Sequence, residues 1–143
     1  MAQGGILKVL LDTSVLIDIL KGQPGAIEKL EELRQESTLY TSTINIYEIL
    51  RGIETLPQKD RSKPINSLNS LVSNIYVLNF DLESAEAAAA IFADLRRNGT
   101  PIDEEDCLIA GVCVSNGIPS ILTNDEKHFS RVKQLRVFSY NRS

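Results

Sequence analysis

Short β-like apolar runs alternate with longer stretches of helical periodicity along this chain, and that alternation restricts the fold more than any other feature. The short runs fall at Lys8 to Leu11, Leu39 to Thr41, Ile75 to Leu78, Ile118 to Leu122 and Arg136 to Phe138. Helical patterning covers Ser14 to Lys21, stopping at Gly22 and Pro24, and Ala26 to Glu36. It resumes from Ile44 to about Glu54, with Thr43 as cap and Leu56-Pro57 as breaker, and from Arg61 to Val72. Asp81 to Arg97, carrying the alanine run Ala87 to Ala90, ends at Gly99, and Asp103 to Asn116 ends at Gly117. A helical turn follows near Glu126. Strands that alternate with helices imply a mostly parallel sheet covered on both faces, with right-handed crossovers. No repeat, low-complexity tract or linker divides the pattern, so residues 1–143 read as one α/β domain.

Composition narrows the class further. A chain of 143 residues with 43% hydrophobic content can bury a core without disulfide staples. Disordered, collagen-like and cystine-framework classes are thereby excluded. The apolar runs Ile6 to Leu11 and Val15 to Leu20 are interrupted by Lys8 and Asp18, and they fall far short of the roughly 18 residues of a membrane span. The opening residues lack the cationic stretch and cleavage site of a secretory signal, so a cytoplasmic location is expected. Cys107 and Cys113, six positions apart on one predicted helix, read as reduced core thiols. With 15 basic against 19 acidic residues, the net charge is -4. A nucleic-acid partner would therefore be held by local patches or through metal rather than by a basic coat.

The acids are placed where chemistry is expected. In an open parallel sheet the ligand crevice lies at the carboxyl ends of the strands. Asp12 directly follows Val9-Leu10-Leu11, and Asp125 follows the later run Ile121-Leu122-Thr123-Asn124. Both face one crevice if their strands are neighbours. Glu48 lies in a helix among Ile44, Ile46, Tyr47, Ile49 and Leu50, where a carboxylate is costly unless paired or metal-bound. Asp103-Glu104-Glu105-Asp106 opens an apolar helix and concentrates four acids in its first turn.

Each acid also has a purely structural reading. Asp12 caps the next helix with Thr13 or Ser14, Asp103 and Asp106 form a capping-box-like pair, Asp125 starts a turn, and Glu48 pairs with Arg51. Jointly the placement favours a cation, and oxygen ligands without Cys/His spacing suit Mg²⁺ or Mn²⁺ rather than zinc.

Four motifs in order resemble those of the PIN-domain ribonucleases, specifically the VapC-type toxins of prokaryotic toxin–antitoxin pairs, over essentially the whole chain. The segment LDTSVLID resembles the first motif, with Asp12 as its acid and Ser14 at the small polar position. INIYEILRG resembles the second and selects Glu48. DEEDCLIAG resembles the third, with Asp106 principal and Asp103 auxiliary. LTNDEKHF resembles the fourth, with Asp125 as the acid and Asn124 as its alternative.

The resemblance implies a five-stranded parallel sheet flanked by helices, and one or two Mg²⁺ or Mn²⁺ ions held by Asp12, Glu48, Asp106 and Asp125. It further implies hydrolysis of RNA phosphodiesters by metal-activated water, a homodimer and a VapB-like antitoxin partner. Lys127, Arg131, Lys133 and Arg136 form one local basic cluster, and Lys59, Arg61 and Lys63 another. Either tracks phosphates or is a solvated face.

Arg51 either steadies Glu48 or contacts phosphate. His128, the single histidine, has no recognisable triad around it and reads as structural. The small residues Ala85, Ala88 and Ala89 suit close helix packing, within the chain or between subunits. Two other functions fit parts of the pattern: a PIN-like nuclease for structured DNA or ribosomal RNA processing outside a toxin–antitoxin pair, and a non-catalytic Mg²⁺-binding regulatory module.

Overall fold

The structure is a computed structural model that describes residues 7–142. Ile6, the first residue of one apolar run, and the termini of the expected 1–143 domain lie outside these residues. Five strands form one sheet: β1 (Leu7–Leu11), β2 (Ser37–Ser42), β3 (Tyr76–Leu78), β4 (Ser120–Leu122) and β5 (Arg136–Phe138). The order is β3-β2-β1-β4-β5, and every pairing is parallel. The chain builds outward from β1 through β2 to β3, then returns to the other side of β1 for β4 and β5. The strand order therefore reverses beside β1, and β4 is its hydrogen-bonded neighbour there.

Alternation along the central strands sends side chains to two separate cores. Val9 and Leu11 of β1, with Leu39 and Leu122, pack on one face. Against them lie α1 (Thr13–Leu20), α2 (Pro24–Arg34), α3 (Thr43–Glu54) and α4 (Ser62–Val72). Leu10 and Ile121 project to the other face. That face is covered by α5 (Leu82–Arg97) and α6 (Glu104–Ser115), with Phe129 from the single turn α7 (Glu126–Phe129).

Cys107 and Cys113 are buried in this second core. So is Ala88, where α5 and α6 pack so closely that a Cβ on Gly111 would meet the Ser84 carbonyl at 2.6 Å. Of the small residues, Ala88 is thus used within the chain, whereas Ala85 is half-buried and Ala89 exposed. Gly99 and Gly117, the expected helix stops, take left-handed φ of 72° and 66°.

Local signals set most helix ends, with two corrections. Helix α2 begins at Pro24 rather than Ala26, its Gln23 cap side chain accepting from the Ala26 amide at 2.7 Å. The α3 cap is Ser42 rather than Thr43: the Ser42 hydroxyl accepts from the Asn45 amide, and the Asn45 side chain accepts from the Ser42 amide. Thr43 is already helical, and its hydroxyl accepts from Phe80 N at 3.1 Å. A short 3-10 turn at Gln58–Asp60, not foreseen from the pattern, joins α3 to α4. Among the described residues no helix is long and apolar enough to cross a membrane.

Candidate active site

Strand geometry delivers the first two acids. Asp12 sits between β1 and α1, and Asp125 follows β4 by two intervening residues, so the adjacency of these strands brings both to one crevice. Asp12 is buried, and its backbone amide donates to Leu122 O at 3.0 Å. Its Oδ2 accepts the Thr123 hydroxyl at 2.7 Å, and its Oδ1 accepts Asn45 Nδ2 at 3.2 Å. Asp12 occupies the α1 N-cap position but makes no side-chain cap bond, so its carboxylate is committed to the crevice. Asp125 is held through its amide, which donates to Thr123 Oγ1 at 2.9 Å.

The other two acids come from the helices above the strand ends. Asp106, in the first turn of α6, is half-buried. Glu48 projects from α3 and accepts a hydrogen bond from the Thr13 hydroxyl, which itself accepts Asn45 Nδ2 at 3.0 Å.

Their electrostatics show a shared surplus of negative charge. Burial raises the Asp12 carboxyl above its ordinary value, with the charge of Asp125 adding to the effect and the Thr123 and Asn45 hydrogen bonds opposing it. Burial likewise pushes Asp106 up to about 6, against the His128 hydrogen bond and with the charges of Asp12 and Asp125. Glu48 is pushed up to about 7 by burial and then by Glu105, whose carboxyl lies against its own, and by Asp12. Two carboxyls in that contact need a proton or a cation between them. Among the described residues, the buried Glu105 Oε2 atom has no hydrogen-bond partner. Oxygen donors of this kind, short of positive charge, fit a hard divalent cation.

Several residues stand elsewhere than expected. Arg51 does not pair with Glu48; its Nη1 lies 3.6 Å from Glu105 Oε1 and its guanidinium stacks on Tyr47 at 5.2 Å. Helical spacing alone could not reveal this, because Glu105 arrives from α6. Asn124 turns away from the acids, donating to Asp18 Oδ2 at 3.1 Å and Tyr140 Oη at 3.0 Å. The Ser14 hydroxyl accepts the Asn124 amide at 3.1 Å, fixing the loop rather than joining the cluster. Asp125 is thus the acid of the fourth motif that faces the crevice.

His128 is not a remote structural histidine. Its Nδ1 lies 2.9 Å from both Asp106 Oδ2 and Asp125 Oδ2, and 3.9 Å from Asp103 Oδ2. These contacts, led by the Asp106 hydrogen bond, raise its pKa above the ordinary value. The signal was its spacing of three from Asp125, one helical turn. Asp103 precedes α6 at the N-cap position without a side-chain cap bond and is exposed.

The basic candidates divide. Arg131 Nη1 donates to Pro101 O at 2.6 Å, and Lys133 lies 3.9 Å from Asp94, while Lys127 is exposed on α7 beside His128. A groove of about 570 Å³ between α1, α3 and α4 runs up to Glu48, lined by Ile17, Leu20, Ile49, Ile53, Leu56 and Pro64 with Lys21 and Lys63 at its edges.

Comparison with known proteins places these observations. The family model described as PIN domain matches residues 9–135. The chain is 32% identical over 132 residues to the tRNA(fMet)-specific endonuclease VapC of Shigella flexneri, covering 92% of this chain and 97% of that protein. It is also 32% identical over 135 residues to ribonuclease VapC1 of Methanocaldococcus jannaschii, covering 94% and 88%. Among solved structures, the DNA-bound VapBC complex of Salmonella typhimurium aligns with a TM-score of 0.81 at 28% identity, over 93% of this chain and 98% of that one.

Proposed function

Because this chain belongs to the PIN-domain family, we propose that it is the ribonuclease toxin of a VapBC-type toxin–antitoxin module, hydrolysing RNA phosphodiesters with a divalent cation, Mg²⁺ or Mn²⁺. The names of the Shigella and Methanocaldococcus relatives support the ribonuclease reading, and the Salmonella complex supports the antitoxin partner. The observation that carries the mechanism is the meeting of Asp12, Glu48, Asp106 and Asp125 at the reversal point of the sheet, where the charge of Asp12 bears on Glu48 and Asp106 and that of Asp125 on Asp12 and Asp106.

Asp12, Glu48, Asp106 and Asp125 hold the cation in this proposal. Once bound, it supplies Lewis-acid activation of water and neutralises charge developing on the phosphate. The protein's own residues provide position. Thr123 and Asn45 fix both oxygens of Asp12, and Thr13 orients Glu48. Asp125 is set by the Thr123 hydroxyl through its amide. Among the described residues no serine or cysteine stands in these contacts, and the proposed attack by water involves no covalent intermediate on the protein.

Lys127, exposed beside the acids, and Arg51, exposed while paired with Glu105 and stacked on Tyr47, are the proposed phosphate contacts. Arg131 and Lys133, engaged with Pro101 and Asp94, contribute more weakly. The apolar groove that ends on Glu48 is the proposed seat of an antitoxin segment, because a chain lying there would cover a metal-binding carboxylate. A homodimer is part of the same proposal.

The deciding experiment incubates the purified protein with a transfer-RNA pool in Mg²⁺ or Mn²⁺, with the initiator transfer RNA as the first defined substrate. Cleavage that is abolished by EDTA and by Asp12→Asn, with the variant's fold intact by circular dichroism, is the expected result. Cleavage that survives both overturns the metal mechanism.

A further inference from the structure

We propose that His128, Asp106 and Asp103 form a nitrogen-containing cation subsite, in which the imidazole Nδ1 ligates a divalent transition ion directly. The inference rests on the metal-dependent reading above and extends its ligand set beyond oxygen.

Geometry carries it. One ligand atom from each of Asp103, Asp106 and His128 lies within 4.8 Å of the others. In an octahedron with bonds of about 2.1 Å, neighbouring ligands stand about 3.0 Å apart and opposite ligands about 4.2 Å apart. The 2.9 Å from His128 Nδ1 to Asp106 Oδ2 matches a shared edge, and the 3.9 Å to Asp103 Oδ2 falls between edge and diagonal. An ion held by these three atoms takes the place of the proton that Nδ1 shares with Asp106, and Asp103 closes on it. Asp103, open to solvent, leaves the outer positions to water.

The ring is also held in place. It belongs to α7, whose next residue, Phe129, is fully buried in the second core, and its side chain is only 28% exposed. Among the described residues, the groups within ion-pair distance of Nδ1 are Asp103, Asp106 and Asp125, all carboxylates. A histidine kept only for packing has no need to aim its nitrogen at three acids.

Donor chemistry then sets the preference. Imidazole suits first-row transition ions, whereas Mg²⁺ takes oxygen and holds its waters. The subsite therefore favours Mn²⁺ over Mg²⁺. Asp106 belongs both to it and to the oxygen-only set, and so bridges the two.

The chain has one histidine, so an imidazole nitrogen bound to a metal can come from His128 alone. The test is electron spin-echo envelope modulation on tag-free, full-length protein loaded with Mn²⁺ in a nitrogen-free buffer. Modulation from a directly coordinated ¹⁴N is expected, absent in His128→Gln, whose Mn²⁺ affinity by calorimetry falls by at least about tenfold, the cost of losing even an outer-shell partner, while Mg²⁺ affinity changes less. Bound Mn²⁺ that shows no ¹⁴N coupling in the native protein overturns the inference and leaves the oxygen-only site standing. Protein that retains no Mn²⁺ at millimolar concentration overturns the metal-dependent function itself. The native spectrum decides even if the variant fails to fold.

Discussion

Thr123 and Asp12, 111 residues apart in sequence, are joined by a 2.7 Å hydrogen bond from Oγ1 to Oδ2. The same Thr123 oxygen accepts the Asp125 amide at 2.9 Å, so one buried hydroxyl ties together the acids that follow two neighbouring strands. Thr123→Val keeps the shape and removes the donor, leaving a buried carboxyl short of a partner at a cost of about 1–3 kcal/mol. Thr123→Ser keeps the hydroxyl and should melt closer to the native protein. Equal melting temperatures for the valine and native proteins would show that this bond contributes nothing.

Stability without metal should fall as pH rises from about 4 to 7. Asp106, raised from 3.8 to about 6, and Glu48, raised from 4.5 to about 7, keep protons in the folded state that the unfolded chain has already released. Between about pH 4 and 7 the native state therefore binds more protons, and its stability drops with increasing pH. A cation compensates the exposed charge, so the rise in melting temperature on adding Mg²⁺ should be small at pH 5 and larger at pH 8. Thermal melts with and without Mg²⁺ at both values test this. A shift that is larger at pH 5 has the wrong sign for this site.

Asp18 should behave in the opposite way. Burial alone would raise its carboxyl, but Arg142, Tyr140 and Asn124 outweigh that and hold it below 3.8. Arg142 contributes a two-point contact, Nε to Oδ2 at 2.8 Å and Nη2 to Oδ1 at 3.0 Å, and Tyr140 donates at 2.7 Å. A lowered folded pKa gives stability that is present above the unfolded value and is lost as pH falls through the folded one. Asp18→Asn should therefore melt below the native protein at pH 7, with the gap closing toward pH 3. A gap that persists unchanged at pH 3 would exclude the charge as its source.

Gly111→Ala tests the α5–α6 contact. The added Cβ would lie 2.6 Å from Ser84 O, 2.7 Å from Ala88 Cβ and 2.8 Å from Ala88 N, so the helices must separate. Overpacking of this kind costs about 1–3 kcal/mol. Urea denaturation should show a lower midpoint. Adding Ala88→Gly relieves only the side-chain contact, so it should restore part of the loss.

Much of this fold is legible without coordinates because the signals are local. The alternation that makes Val9 and Leu11 face one core while Leu10 faces the other is a property of consecutive residues in a strand. Glycine at 99 and 117 marks helix ends by backbone conformation alone. Asp12 and Asp125 are recognisable because a strand-end acid in a parallel sheet has a known place to point. The Ser42 cap was misread by one residue because Thr43 carries the same chemistry, and tertiary contact with Phe80 decided its use.

The sequence by itself determined the strand and helix pattern, the parallel class and the acids that end the strands, since each depends on neighbours along the chain. Only the tertiary structure decided that Arg51 meets Glu105, that Asn124 turns to Asp18, and that His128 joins Asp106 and Asp125. Those partners are chosen by which helix lies across which strand end, a relation between distant segments that no local periodicity encodes.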